Sequence, residues 1–259
     1  MEKLIFLGTG GARVVVSKQI RASGGVWIEK GDSRLLMDPG PGCLIRVLDK
    51  KLNPAKLDGI ILSHRHLDHS ADINVMIEAM TEGGFKKRGI IFAPKDALED
   101  DPVILRYVRD FVEKIEILEE GKTYQIGDLE FVTPLRHQHG NAETYGFIFK
   151  FNSFPLSWIT DTRFFPSLTE VYNTPAMVIH MVRLTPAPVD HLTKEDVEKI
   201  LKEVKPRWVV LTHFGMTVLR ANPWKVAKEM SENTGVHVMV AKDGMEIILE
   251  EIAEKFFKR

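Results

Sequence analysis

Short apolar runs separated by polar turns recur along the whole chain, and their lengths match those of β-strands. Most are rich in Val, Ile, Leu and Phe and are bounded by Gly, Pro or charged residues, which commonly end strands. The pattern predicts strands at residues 4–7, 25–29, 34–37, 59–62, 89–92, 130–135, 145–151, 156–160, 177–182, 207–211, 236–240 and 245–249.

Helical periodicity lies between some of these runs. Apolar residues three and four positions apart predict helices at residues 71–80, 193–204 and 226–233. Thr193 and Asp196 form an N-terminal capping pattern for the second helix, and Pro206 stops it. The charged segment 94–116 is also predicted to be helical, either as a cap near a functional site or as a surface excursion. Strand–helix alternation predicts an α/β fold, and periodicity alone defines it no further.

Composition narrows the class of protein. The chain has 259 residues, of which 44% are hydrophobic and 27% charged, so it is long enough for one large α/β domain or two small ones. No apolar run approaches the ~20 residues that a membrane-spanning helix needs. A start at Met1-Glu2-Lys3 without a signal-peptide pattern predicts a cytoplasmic protein. The net charge of −1 gives no general attraction to polyanions, and Cys43, the single cysteine, is expected to be a buried thiol.

Three histidines and an aspartate lie within six residues, directly after the apolar run at 59–62. They are His64, His66, Asp68 and His69. Imidazole nitrogen and carboxylate oxygen are the usual ligands of zinc and related metals, and two pairs at this spacing suggest two ions. The alternative is a polar loop with solvated histidines. A dinuclear centre requires further His or Asp residues downstream, at the ends of strand-like runs.

Three later positions meet this requirement. His137 and His139 follow the run at 130–135, Asp161 follows 156–160, and His213 follows 207–211. Each of these residues comes at the end of a predicted strand, where loops in α/β proteins converge over the sheet.

With these residues the chain resembles the metallo-β-lactamase superfamily. His64, His66, Asp68 and His69 match the family's H-x-H-x-D-H signature, and the resemblance runs from Phe6–Gly11 through Leu36–Gly42 to Asp243-Gly244. It implies a four-layer αββα sandwich, formed by residues 1–259 as one domain whose two halves meet near residues 121–128. It also implies that His139 is the third histidine of the first metal, that Asp161 bridges both ions, and that His213 completes the second site.

His137 is an alternative to His139, which is preferred because it precedes Gly140 and a segment, Thr144–Ile148, similar to one that follows this histidine in phosphodiesterase members. Asp38, in the Leu36–Gly42 segment, would orient the site rather than bind metal. His191 is the candidate general acid, in competition with a purely structural role at the start of a helix. His180 is expected in the core or behind the ligands, and Arg136 and Arg183 could hold an anionic substrate.

The resemblance therefore implies a hydrolase with two divalent ions, with zinc expected and manganese or iron able to use the same donors. Water activated between the ions would attack the substrate, and Asp68 would bind metal and orient the water. The branch with tRNA 3′-processing endonucleases and cyclic phosphodiesterases favours a small or cyclic phosphate diester as substrate. Thioester or lactone hydrolysis, RNA processing and a non-catalytic metal-binding role are the alternatives. Nucleic acid is a less favoured partner, no membrane is expected, and a homodimer is compatible with the sequence.

Overall fold

Two seven-stranded sheets form the centre of the computed structural model, which describes residues 1–99 and 101–257. The strands of the first sheet are β1 (Glu2–Phe6), β2 (Val26–Lys30), β3 (Ser33–Met37), β4 (Gly59–Ile61), β5 (Ile90–Ala93), β6 (Lys114–Ile117) and β16 (Met245–Ile248). Those of the second are β7 (Lys122–Ile126), β8 (Leu129–Thr133), β11 (Phe147–Lys150), β12 (Pro155–Ile159), β13 (Ala176–His180), β14 (Trp208–Thr212) and β15 (His237–Val240). A separate two-stranded hairpin comprises β9 (Arg136–His139) and β10 (Ala142–Tyr145).

Each sheet is antiparallel in one half and parallel in the other. The orders are β16-β1-β2-β3-β4-β5-β6 and β15-β14-β13-β12-β11-β8-β7. The parallel pairs run from β3 to β6 in the first sheet and from β12 to β15 in the second. The chain passes from the first sheet to the second between β6 and β7. The one-domain organisation itself stays a prediction.

Helices lie mainly on the outer faces of the sheets, except that the last helix packs against the apolar cluster between the sheets. They are α1 (Arg13–Ser17), α2 (Cys43–Asp49), α3 (Leu67–Ser70), α4 (Ile73–Met80), α5 (Ser167–Val171), α6 (Lys194–Val204), α7 (Met216–Arg220), α8 (Pro223–Thr234) and α9 (Leu249–Phe256). One apolar cluster lies between the sheets, a second packs α6 and α8 on the second sheet, and a third packs α2 and α4 on the first. The four-layer αββα prediction is therefore confirmed.

Local chemistry explains the helix ends. The Thr193 side chain accepts from the backbone N–H of Asp196, and the Asp196 carboxylate accepts from the N–H of Thr193, which completes the predicted capping box. Helix α8 ends at Gly235, whose φ of 73° is the left-handed conformation that glycine adopts without strain. Within residues 1–99 and 101–257, no helix combines the length and apolarity needed to cross a bilayer.

The helical prediction for residues 94–116 is wrong, and Asp100 within it lies outside the described residues. The segment forms two 3-10 turns, Lys95–Ala97 and Arg106–Phe111, and then β6. The guanidinium of Arg109 donates to the carbonyls of Leu98 and Ile104, which satisfies loop backbone without a helix. The buried side chains of the segment join the cluster on the outer face of the first sheet. The part of the segment before β6 therefore covers the outer face of the first sheet.

Candidate metal centre

The H-x-H-x-D-H segment begins where the buried strand β4 ends. The Asp38 carboxylate accepts from the backbone N–H of Ser63 at 2.6 Å and from its hydroxyl at 2.7 Å, which anchors the turn that carries His64 and His66. The short helix α3 then presents Asp68 and His69. Asp38 also contacts Nδ1 of His69 at 2.9 Å, so one carboxylate orients both parts of the motif.

The other predicted ligands arrive from separate strand ends. His139 is the last residue of β9, Asp161 comes two residues after β12, and His213 directly follows β14. His213 has a φ of 60°, an uncommon value for a residue with a side chain. Because β12 and β14 are parallel, their carboxyl ends meet at one edge of the second sheet, opposite the end of β4. Residues far apart in sequence therefore converge.

The converging side chains form two adjoining pockets. The first pocket consists of His64, His66 and His139, whose candidate ligand atoms lie within 4.8 Å of one another. The second pocket consists of Asp68, His69, Asp161 and His213. Asp161 lies between the pockets: its Oδ2 is 3.7 Å from His139 Nε2, 3.6 Å from His69 Nε2 and 3.3 Å from His213 Nε2. Asp68 Oδ2 is 3.6 Å from His213 Nε2.

The two pockets have the chemistry of cation sites. The Nε2 atoms of His64, His69 and His213 are buried and have no hydrogen-bond partner within the described part of the chain. Buried polar atoms without partners are costly and rare in folded proteins. Nitrogen and carboxylate donors at this separation suit divalent metals such as zinc, which would use these free lone pairs. The residues present therefore fit the implied group.

Burial and neighbouring charges shift the pKa values of the histidines downward in the first pocket and upward in the second. In the first pocket, burial lowers the pKa of His64 well below its ordinary value and the pKa of His66 to about 4. In the second pocket, burial acts in the same direction, but Asp161 and Asp68 together outweigh it and raise the pKa of His213 to about 9. The carboxylates of Asp38 and Asp68 likewise raise the pKa of His69.

The carboxylates of the second pocket are held in the charged form. Burial alone would raise the pKa of Asp161, but His213, His180 and His191 together lower it well below its ordinary value. The pKa of Asp68 is lowered by His69 and His213 against the same effect of burial. The first pocket is thus neutral, whereas the second holds charged carboxylates and protonated imidazoles.

His137 and His139 occupy different environments although both lie on β9. The side chain of His137 is buried away from both pockets, with Nε2 at 2.8 Å from the Tyr172 hydroxyl and Nδ1 at 3.1 Å from the Thr160 hydroxyl. His139 places Nε2 3.1 Å from Nδ1 of His66. Because the two residues are two positions apart, their side chains lie on the same face of β9, and they differ in position along the strand: His139, the last residue of β9, reaches the first pocket.

Comparisons with known proteins agree with this architecture. A family profile described as a β-lactamase superfamily domain matches residues 33–214, a span that includes all seven predicted ligands. This chain is a member of the metallo-β-lactamase superfamily. Its fold is similar to the crystal structure of the metallo-β-lactamase fold protein YhfI from Bacillus subtilis, with a TM-score of 0.80, 21% identity and coverage of 95% of this chain and 98% of the other.

Two sequence relatives illustrate the range of the superfamily. An uncharacterized protein from Methanocaldococcus jannaschii is 29% identical over 255 residues, which cover 95% of both chains. A ribonuclease Z from Thermoplasma volcanium is 30% identical over 146 residues, which cover 55% of this chain and 47% of that enzyme. The match therefore spans about half the length of the ribonuclease.

His191, the candidate general acid, also lies at the site, and its role stays a prediction. His191 Nε2 lies 3.4 Å from Asp161 Oδ2, and its ring packs against that of His139 at a centroid distance of 4.9 Å. Asp190 supports this arrangement because its backbone carbonyl contacts Nδ1 of His139 at 2.8 Å. By contrast, Arg136 is exposed at the start of β9, and Arg183 Nε donates to the carbonyl of Thr185. Anion binding by these arginines stays a prediction.

Two glycines give the superfamily site its close packing. A Cβ on Gly11 would lie 2.4 Å from Cδ2 of His213, and a Cβ on Gly40 would lie 2.1 Å from the carbonyl oxygen of Asp68. Both glycines belong to the segments on which the family resemblance rests, but their contacts become visible only in the folded chain. The contact of His180 Nδ1 with Asp161 Oδ1, at 3.0 Å, likewise becomes visible only in the folded chain.

Proposed function

We propose that this protein is a dinuclear metal-dependent phosphodiesterase that hydrolyses a small or cyclic phosphate diester. The main support is the arrangement of Asp161, whose Oδ2 faces histidines of both pockets and His191 at 3.3–3.7 Å. A site with two cation pockets that share a carboxylate and adjoin an additional histidine suits hydrolysis of an ester bond. Similarity to a ribonuclease Z favours phosphate diesters among the esters.

The first metal would be held by His64, His66 and His139, and the second by Asp68, His69 and His213, with Asp161 shared between them. Zinc is the expected ion, and manganese or iron suits the same donors. When bound, two such ions supply a nucleophilic water near neutral pH and withdraw charge from the phosphoryl oxygens.

The remaining chemistry belongs to side chains of this protein. Asp68 accepts a hydrogen bond from the attacking water and so orients it, in addition to its role as a ligand. His191 donates a proton to the leaving oxygen through its Nε2 atom, on the side of the site that faces Asp161 and His139. Burial of Asp161 and of most of the histidines keeps bulk water away and strengthens their electrostatic interactions.

An RNA-processing endonuclease is the second candidate. The match to ribonuclease Z favours it, whereas the restriction of that match to about half of the ribonuclease favours a smaller substrate. Carbon-centred hydrolysis of a thioester or lactone could use the same ligands. Substrate size and the bond attacked therefore distinguish the candidates.

The test is a substrate-class screen with protein loaded with Zn²⁺ or Mn²⁺. We expect turnover of bis(p-nitrophenyl) phosphate and of 2′,3′-cyclic nucleotides, with loss of that turnover in His66→Ala. Precursor tRNA, an acyl-thioester and a lactone are assayed in parallel. Cleavage of precursor tRNA without turnover of small diesters would select the second candidate, and turnover of only the carbon esters would overturn the proposal.

A further inference from the structure

His180 is a buried histidine at the end of β13 that lies beside the second pocket. Its ring stacks on that of His213 at a centroid distance of 4.5 Å and an interplanar angle of 18°. Its position and residue type would allow it to be a metal ligand, and it belongs to the same group of potential donors as His69 and His213. The hydrogen bonds of its ring point to a different role.

Both ring nitrogens of His180 are already occupied. The indole N–H of Trp158 donates to Nε2 at 3.2 Å, and Nδ1 lies 3.0 Å from Oδ1 of Asp161. An indole nitrogen is only a donor, so Nε2 of His180 must be the acceptor and Nδ1 must carry the hydrogen. The tautomer is therefore defined by the partner, and Nδ1–H donates to Asp161. The Nε2 atoms of His69 and His213, by contrast, have no hydrogen-bond partner within the described residues.

This arrangement divides the two oxygens of Asp161 between two tasks. Oδ1 accepts from His180, while Oδ2 faces His69, His139, His191 and His213. A carboxylate with one oxygen held in this way cannot rotate freely, so its other oxygen stays directed at both pockets.

The anchor of the arrangement lies in the core between the sheets. Trp158 is fully buried in that cluster and stacks on Phe6 at a centroid distance of 6.0 Å. The parallel register of β12 and β13 pairs Trp158 with Val178, two residues before His180 on the same face of the sheet. Strand register therefore brings the indole to the imidazole.

We propose that Trp158 and His180 form a neutral hydrogen-bond relay that positions Asp161, and that His180 is a positioning residue rather than a metal ligand. The relay rests on the proposed metal centre for its purpose, but its hydrogen bonds exist without metal. Partners of this kind behind metal ligands typically contribute about 10–100-fold to metal affinity.

The relay is tested first without metal, by NMR of ¹⁵N-labelled protein. We expect the Trp158 indole resonance, assigned by its absence in Trp158→Phe, to move in His180→Leu. We expect His180 itself to show the Nδ1–H tautomer both before and after Zn²⁺ is added. A change of the His180 nitrogen shifts on Zn²⁺ addition, of the size seen for His69 and His213, would overturn the assignment because it would make His180 a ligand.

Metal titration against a competing chelator then measures the effect on the second pocket. We expect His180→Leu to weaken the second Zn²⁺ by about 10–100-fold and the first Zn²⁺ by less, because Asp161 is shared between the pockets. His180→Asn keeps a donor near the position of Nδ1 and should recover most of that affinity, which a ligand would not. Trp208→Phe is the matched control. It removes another buried indole hydrogen bond, which runs to Met239 rather than to a residue that contacts Asp161.

Equal losses in His180→Leu and His180→Asn, with both variants folded by circular dichroism, would overturn the relay, as would unchanged affinity in His180→Leu. These readouts do not depend on any substrate. Failure of the relay therefore leaves the proposed hydrolysis standing, and failure of diester turnover leaves the relay testable.

Discussion

The two pockets of the candidate metal centre are adjacent but differ in chemistry and in support. The first consists of three imidazoles with no carboxylate of its own, and one of them, His139, comes from the β9–β10 hairpin outside both large sheets. The second contains Asp68 and Asp161 and is backed by Asp38 and His180. The two pockets would hold the same kind of ion. They should nevertheless differ in how strongly protons compete with the metal and in how rigidly their ligands are held.

The largest effect is expected at Asp161, which both pockets share. Asp161→Asn removes a buried charge from a network of five histidines, and such a loss costs about 3–5 kcal/mol, or roughly 10²–10⁴-fold in affinity. We expect both metals to bind more weakly and diester turnover to disappear, as measured by metal content and by titration against a chelator. Asp49→Asn, at an exposed ion pair with Arg46, is the control. Retention of two tightly bound ions would contradict the shared role.

A smaller effect, confined to one pocket, is expected at His66. His66→Ala removes one of three imidazoles from the first pocket but touches none of the carboxylates. We expect the stoichiometry to fall from two ions to one, with the remaining affinity within about threefold of the original, as for sites that couple only weakly. His237→Ala, at an exposed strand residue, should keep two ions. Loss of both ions in His66→Ala would show that the pockets are not separable.

The pH dependence of metal binding should separate the pockets without mutation. With a pKa of about 9, His213 is protonated at pH 7.5 before metal binds, and a ligand must be neutral, so binding to the second pocket releases its proton. Affinity there should rise with pH until about 9, roughly tenfold per unit for each proton displaced. The first pocket should be independent of pH above about 7, because burial lowers the pKa of all three of its histidines below the ordinary value.

Calorimetry in two buffers of different ionisation enthalpy measures these protons directly. The observed binding enthalpy of the second ion should depend on the buffer, and that of the first should not. Equal proton release from both pockets would remove the distinction between them.

The smallest effect on metal is expected at His137, which lies two residues before His139 on β9 and whose ring nitrogens contact the hydroxyls of Tyr172 and Thr160. His137→Gln should weaken the buried hydrogen bonds to Tyr172 and Thr160 and lower the free energy of unfolding by about 1–2 kcal/mol. Denaturant unfolding of metal-free protein measures that loss. Both metal affinities should be unchanged, and a loss of the first ion would make His137 rather than His139 the ligand.

Much of the site was accessible from the sequence because its donors follow apolar runs. Each of His64, Asp161 and His213 comes within three residues of the end of a strand that reads as buried, and parallel strands bring such ends together. The same logic predicted most strands and the capped helix after Thr193. The contacts that the sequence does not predict depend on how neighbouring strands align in the sheet. The contact of Trp158 with His180 follows from the pairing of β12 with β13, which neither strand encodes alone.

The hairpin and the segment after β5 show a second limit. Polar, histidine-rich β9 has no apolar alternation, so its pairing with β10 becomes visible only in three dimensions. Residues 94–116 carry the charge of an exposed helix, yet Ala97, Ile104, Val108 and Val112 are buried against the first sheet. Tertiary packing there outweighs local propensity.

The pairing of β1 with β16 has a consequence for the order of events on the ribosome. Lys3 lies opposite Ile248 in the first sheet, so one flank of β1 has no strand partner until almost the whole chain has emerged. An open strand edge of this kind is prone to incorrect pairing while translation continues. All the proposed ligands, from His64 to His213, are synthesised before that edge closes. Metal capture by the nascent protein could therefore precede completion of its first sheet.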